Sequence, residues 1–297
     1  MSVRSSKPSA SPEAPLTSST AAYRLTHLLN AVCAAHGMDR FPVDVSMLAK
    51  DAHNVFHWPD PISEVRAESL GSFEGALYPN EARSKWLLLY NDELRSLGRI
   101  RFTQAHELGH YLLHRTKRNQ FECTDDDMID LEQDDIGMES QADSFASTLL
   151  MPLDDFRTQM GQAACLESLG ECANRYGTSL TATSLRWLSY TEHPAVLVVH
   201  RDGYMLWAVP SKPALKAGAF FRTRTKTIEI PTTSLAGNDS VERDVVGTQT
   251  DTRIWFPRAE NGQNLREMKI HADHYKFTIS LLVLPKGCSV WEPRQDD

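Results

Sequence analysis

Apolar positions along the chain change period three times. Over 21–36, Leu25, Leu28, Leu29 and Val32 recur at helical spacing and predict an amphipathic helix. A second short helix is expected after Pro42, capped by Asp44 or Ser46, with Val45, Leu48 and Ala49 inward. Residues 73–78 and 86–90 are β-prone runs, and Pro79, Asn80, Glu81 and Ser84 between them predict a hairpin. Helical period returns over 99–116, where Phe102, Ala105, Leu108, Gly109, Leu112 and Leu113 form one stripe. Residues 139–150 predict a strong helix that stops near Met151 and Pro152, and helical patterns continue over 153–190. From Pro194 the pattern becomes strand-like: 195–199, 204–209, 222–230, 253–256, 268–270 and 277–284 are β-prone and divided by Gly, Asn, Asp or Pro.

These regimes predict an α+β chain. The expected divisions are a disordered tail at 1–19, a first domain of helices on a small sheet at 20–155, a helical segment at 156–192 and a β-rich domain at 193–297. The length of 297 residues suits two domains at about 150 residues each. The tail is expected because the first twenty residues hold seven Ser and three Pro without the apolar stretch of a secretory leader.

Composition narrows the classes. Apolar residues make up 41% and charged residues 24%, as in soluble globular proteins. No apolar run approaches the ~18 residues of a membrane helix, so no membrane association is expected. Five Cys without a CxxC pair argue against disulfides and cysteine-type zinc sites, and fit a reducing cytoplasm. The net charge of −8 argues against nucleic-acid binding by charge. Nine acids and no Lys or Arg fall within 122–139, so the remainder sums to +1 (−8 plus 9). That acidic stretch is read as a solvated loop. Residues 165–190 have the outline of a helix-turn-helix, but Arg175 and Arg186 are its basic residues against Glu167 and Glu171. Packing helices are therefore expected there, with no direct nucleic-acid contact. Arg222, Arg224 and Lys226, alternating with threonines, read as the solvated face of a strand.

The chemistry is concentrated at residues 106–110, His-Glu-Leu-Gly-His. On a helix, His106 and His110 point to one side and can share a metal ion, while Glu107 is placed to act as general base toward an activated water. Gly109 inside a helix is unfavourable by ~1 kcal/mol against Ala, which suggests a close approach by another backbone or a substrate. A third ligand is required. The HExxHxxGxxH arrangement is excluded, because Leu113 and Thr116 occupy its last two marked positions. Glu139 on the later helix fits instead. It shares a face with Asp143, Ala146 and Leu150, and an inward carboxylate needs a metal or a hydrogen-bonded partner. Ala142 and Ala146 are small enough to let that helix approach Gly109. Asp143 is expected to accept the second N–H of a ligating imidazole. His114 drifts about 80° from His106, which places it off the ligand line, as an ordinary core or surface histidine or as cleft lining that stabilises an oxyanion. Residues 86–91 either pair with an extended substrate as an edge strand or form a core strand.

RFTQAHELGHYLLH at 101–114 followed by ESQADSFASTLLMP at 139–152 resembles the ImmA/IrrE family of metallo-endopeptidases. The resemblance implies a small zincin-like domain of the glutamate-ligand, thermolysin-like type. It implies Zn²⁺, or another divalent ion such as Mn²⁺, on His106, His110 and Glu139, with Glu107 as the base. A further implication is one specific cut in a partner protein, a helix-turn-helix transcriptional repressor. The alternative expectation is a metal-containing regulator that binds the repressor without cutting it.

Overall fold

The computed structural model describes residues 16–94, 96–118, 120–124, 135–161, 164–272 and 276–291. Residues 1–15 of the tail expected at 1–19 and the acidic residues 125–134 lie outside them. The chain divides into two compact units; the first ends at Leu150, and the second runs from Met151 and takes in Phe41–Val43 and Ser96–Arg99.

In the first unit, α1 (Ser18–His36) begins earlier than the periodicity predicts. Thr17 supplies the reason: its side chain accepts from the Thr20 backbone N–H, and Thr20 answers in a capping box. The buried face of α1 is Ser18, Ala21, Ala22, Leu25 and Thr26, whereas Leu28 and Val32 face solvent. Helix α2 (Val45–Phe56) starts at Asp44, whose carboxylate accepts from Met47 N–H. Three strands follow, β1 (Ile62–Glu68), β2 (Phe73–Pro79) and β3 (Trp86–Asn91). Next come α3 (Leu97–His114), β4 (Phe121–Thr124) and α4 (Asp135–Leu150).

Strands β2 and β3 form the expected antiparallel hairpin, with Leu77 opposite Leu88. The sheet order is β1-β3-β2-β4, and β1 runs parallel to β3. Strand β3 is therefore bonded on both sides, and the edge-strand reading of 86–91 is corrected: it is a core strand, with Trp86 and Leu88 buried. Strand β1 escapes sequence reading because Glu64, Arg66 and Glu68 interrupt its apolar character. Those charges are paired at the surface, Arg66 to Glu68 at 2.9 Å and to Glu64 at 3.3 Å.

The second unit opens with α5 (Leu153–Met160), α6 (Leu166–Tyr176) and α7 (Leu180–Tyr190). Gly177, in the left-handed region, turns the chain between α6 and α7. Its five-stranded sheet has the order β6-β5-β9-β8-β7. The members are β5 (Ala195–Arg201), β6 (Tyr204–Pro210), β7 (Arg243–Asp251), β8 (Asn264–Ala272) and β9 (Phe277–Val283), with the short α8 (Lys212–Ala217) after β6. Its core gathers Val196, Val198, Trp255, Phe256, Leu265 and Leu282.

Two expected strands here are corrected. Residues 222–230 hold a turn, because Arg222 O accepts from both Thr225 and Lys226 N–H, and only Glu229 bridges to Tyr204. The alternating Arg and Thr residues therefore do not line a sheet face. Residues 253–256 form no strand: Arg253 and Ile254 lie in a 3-10 turn, Thr252–Ile254, started by Asp251 accepting from Arg253 N–H. Among the described residues, no helix is long and apolar enough to cross a membrane.

Candidate metal centre

Helices α3 and α4 bring the candidate residues together because their facing surfaces are small. A methyl group on Gly109 would lie 3.0 Å from Phe145 Cδ1 and 3.1 Å from Ala142 Cα, so the helical backbones touch where the glycine stands. Ala142, Phe145, Ala146 and Leu149 of α4 are all fully buried. This contact carries Glu139, one turn before Ala142, over the two histidines of α3.

The resulting geometry is tight. His106 Nε2 and His110 Nε2 are 2.9 Å apart, and Glu139 Oε2 is 2.9 Å from the first and 3.2 Å from the second. Their ligand atoms all lie within 4.8 Å of one another. Asp143 Oδ1 is 2.8 Å from His106 Nδ1. That bond requires a proton on Nδ1, since a carboxylate only accepts. In its neutral form His106 then turns the Nε2 lone pair toward Glu139 and His110. Lone pairs converging on one point make a place for a cation, and two imidazoles with a carboxylate are the donor set of a zinc-type site. The residues present fit a divalent ion.

The electrostatics agree. Burial pushes the His110 imidazole down to about 4, and the neighbouring His106 and His114 add to the effect against the pull of Glu139. Burial alone would raise the Glu139 carboxyl, but the adjoining His106 and His110 imidazoles outweigh it and hold the group well below the usual carboxylate range. Glu139 is thus held as an anion beside His110, whose charged form is disfavoured by burial.

Glu107 is fully buried on the same helix. Gly75 of β2 makes its space: a Cβ there would be 2.7 Å from Glu107 Oε1 and 2.6 Å from Thr103 Cγ2. Two further residues at the site carry no signal in the sequence. Phe121 of β4 stacks on the His110 ring, with centroids 4.6 Å apart. Gln141 of α4 meets His114 Nε2 at 3.2 Å. His114 itself is fully buried rather than lining an open cleft. Tyr111 is directed elsewhere: its hydroxyl donates to Asp60 O at 2.8 Å, among Trp58 and Trp86.

The basic residues of 165–190 are engaged within the second unit. Arg175 forms paired bonds to Asp155 at 2.9 Å each, and Arg186 Nε donates to Met151 O.

Comparison with known proteins follows the same lines. Residues 62–188 match the M78 peptidase family, described as the IrrE N-terminal-like domain. That segment is thus similar to the IrrE N-terminal-like metallopeptidase domain, and the cluster of His106, His110 and Glu139 stands within it. No curated protein matches the chain significantly.

Proposed function

We propose that the chain is a zinc-dependent endopeptidase of the glutamate-ligand class that makes a specific cut in a partner protein, a helix-turn-helix transcriptional repressor. The observation that carries the reading is the convergence of His106 Nε2, His110 Nε2 and Glu139 Oε2 beside a buried glutamate on the same helix. The family match supports peptidase chemistry, and the resemblance to ImmA/IrrE proteins supports a repressor as substrate.

In this reading His106, His110 and Glu139 hold the ion, and Asp143 orients His106. A divalent ion there supplies Lewis acidity, polarising the scissile carbonyl and acidifying a water. Glu107 takes the proton of the attacking water and passes it to the leaving amine. Its burial keeps bulk water away from that transfer. Strand β4 offers a place for an extended substrate: it ends the sheet, and its outer side has no strand partner among the described residues. We place the activity in the cytoplasm, in keeping with the free thiols of Cys33, Cys165, Cys172 and Cys288.

The test is co-expression with candidate repressors, followed over time on a denaturing gel. Metal-dependent appearance of a fragment, lost in Glu107→Gln with zinc retained, is the expected result. A complex of intact chains without any fragment would replace the peptidase by a metal-containing regulator. Parental cleavage by Glu107→Gln would remove Glu107 from its role.

A further inference from the structure

A hydrogen-bond chain runs outward from His110 on the side away from the other two donors. His110 Nδ1 is 3.1 Å from His114 Nδ1, and His114 Nε2 is 3.2 Å from Gln141 Oε1. The directions follow from the chemistry. An amide oxygen only accepts, so His114 Nε2 carries the proton. Neutral His114 then has a lone pair on Nδ1, which accepts from His110 Nδ1–H. His110 in turn is left with its lone pair on Nε2, the atom that faces Glu139 and His106.

We propose that His114 and Gln141 are positioning residues that fix His110 in the Nδ1–H form, so that its Nε2 is held ready for the metal ion. The inference rests on the metal-site reading above and deepens it. The two ligating histidines then use different supports. His106 is oriented by one carboxylate, Asp143, in direct contact. The buried His110 meets a second imidazole at Nδ1 instead, and is oriented by a neutral relay that ends on the opposite helix. The relay places no extra negative charge beside a fully buried ring. The drift of about 80° that takes His114 off the ligand line on an ideal helix is what brings its ring behind His110.

The experiment measures zinc affinity of the metal-free full-length chain by competition with a chromophoric chelator. Four variants are compared with the parent: His114→Leu, His114→Asn, Gln141→Leu and His106→Ala. Asn retains an acceptor near the position of the histidine Nδ1, and Leu does not. The expected result is one zinc per parental chain, with affinity lowered about 10- to 100-fold in His114→Leu and largely restored in His114→Asn. Gln141 is solvent-exposed, so Gln141→Leu keeps the fold and is expected to lose several-fold. Thermal melting of the metal-free proteins checks that each variant is folded. Parental affinity in both His114→Leu and Gln141→Leu would overturn the relay while leaving the metal site standing. A weaker His114→Asn than His114→Leu would also overturn it, since packing alone would then explain the residue. Failure of the parent to bind zinc, or undiminished binding by His106→Ala, would instead overturn the metal-site reading itself.

Discussion

Gly75 on β2 stands against Glu107 on α3 so closely that a methyl group on the glycine would come within 2.7 Å of the carboxylate oxygen. A strand thus shapes the chamber of a buried acid on the neighbouring helix, and the missing Cβ is what leaves the acid its volume.

Gly75→Ala is therefore expected to push Glu107 and Thr103 from their positions. Overpacking of this kind destabilises by about 1–3 kcal/mol. Proteolysis of the substrate should slow by about 10- to 100-fold, since displacement by an ångström is enough for that. Zinc content, measured by atomic absorption, should remain at the parental value, because the glycine's closest neighbours are Thr103 and Glu107 rather than the three metal-site donors.

Asp143→Asn keeps the size of the side chain and removes its charge. His106 Nδ1–H then meets a neutral amide, a weaker acceptor than the carboxylate it loses. Zinc affinity is expected to fall about 10- to 100-fold, readable by chelator competition. Equal affinities in parent and variant would show that the 2.8 Å contact does not support the site.

Gly109→Ala would stabilise an isolated helix by ~1 kcal/mol. Here the new methyl group meets Ala142 Cα at 3.1 Å and Phe145 at 3.0 Å. The expected outcome is the opposite sign, a loss of about 1–3 kcal/mol in denaturant unfolding, accompanied by weaker zinc binding as α4 is pushed outward. Gly137, with open space around it, serves as a control at which Ala should be neutral or stabilising.

Acid should loosen the zinc-free chain. His110 is depressed from 6.5 to about 4, so the unfolded chain takes up this proton first as pH falls. Stability is full above pH 6.5 and declines from there toward pH 4. Glu139, held below its ordinary 4.5, adds stability above that value which is lost as pH falls through its lowered one. Both act in one direction, and urea midpoints taken from neutral pH down to the lowered His110 value should fall steadily. His110→Leu is expected to flatten the upper part of that decline.

The convergence of His106 and His110 on α3 could be read from sequence because four-residue spacing on one helix is a local relation. Glu139 and Asp143 were legible for a similar reason: Ala142 and Ala146 mark the inward face of α4. Gly75 and Phe121 were not legible, since each reaches the site through sheet pairing with no fixed separation in the chain. Strand β7 was missed because its residues, from Arg243 to Asp251, are mostly polar and half-exposed. The segment 222–230 misled in the reverse way. Its β-branched threonines suit a strand, but a strand also needs a continuous partner; here Arg222 O bonds within the segment and pairing with another strand is confined to its end, around Glu229.

Helix α4 is gripped from two directions: α3 meets its inner face at Gly109, and Ser18 of α1 donates to Gln141 O at 2.8 Å. An ion joining α3 to α4 would act as a rivet for a three-helix stack, reaching an element that contributes no donor atom. Chelation should then be felt at the amino-terminal helix, as faster amide exchange along α1, long before the remainder of the unit lets go.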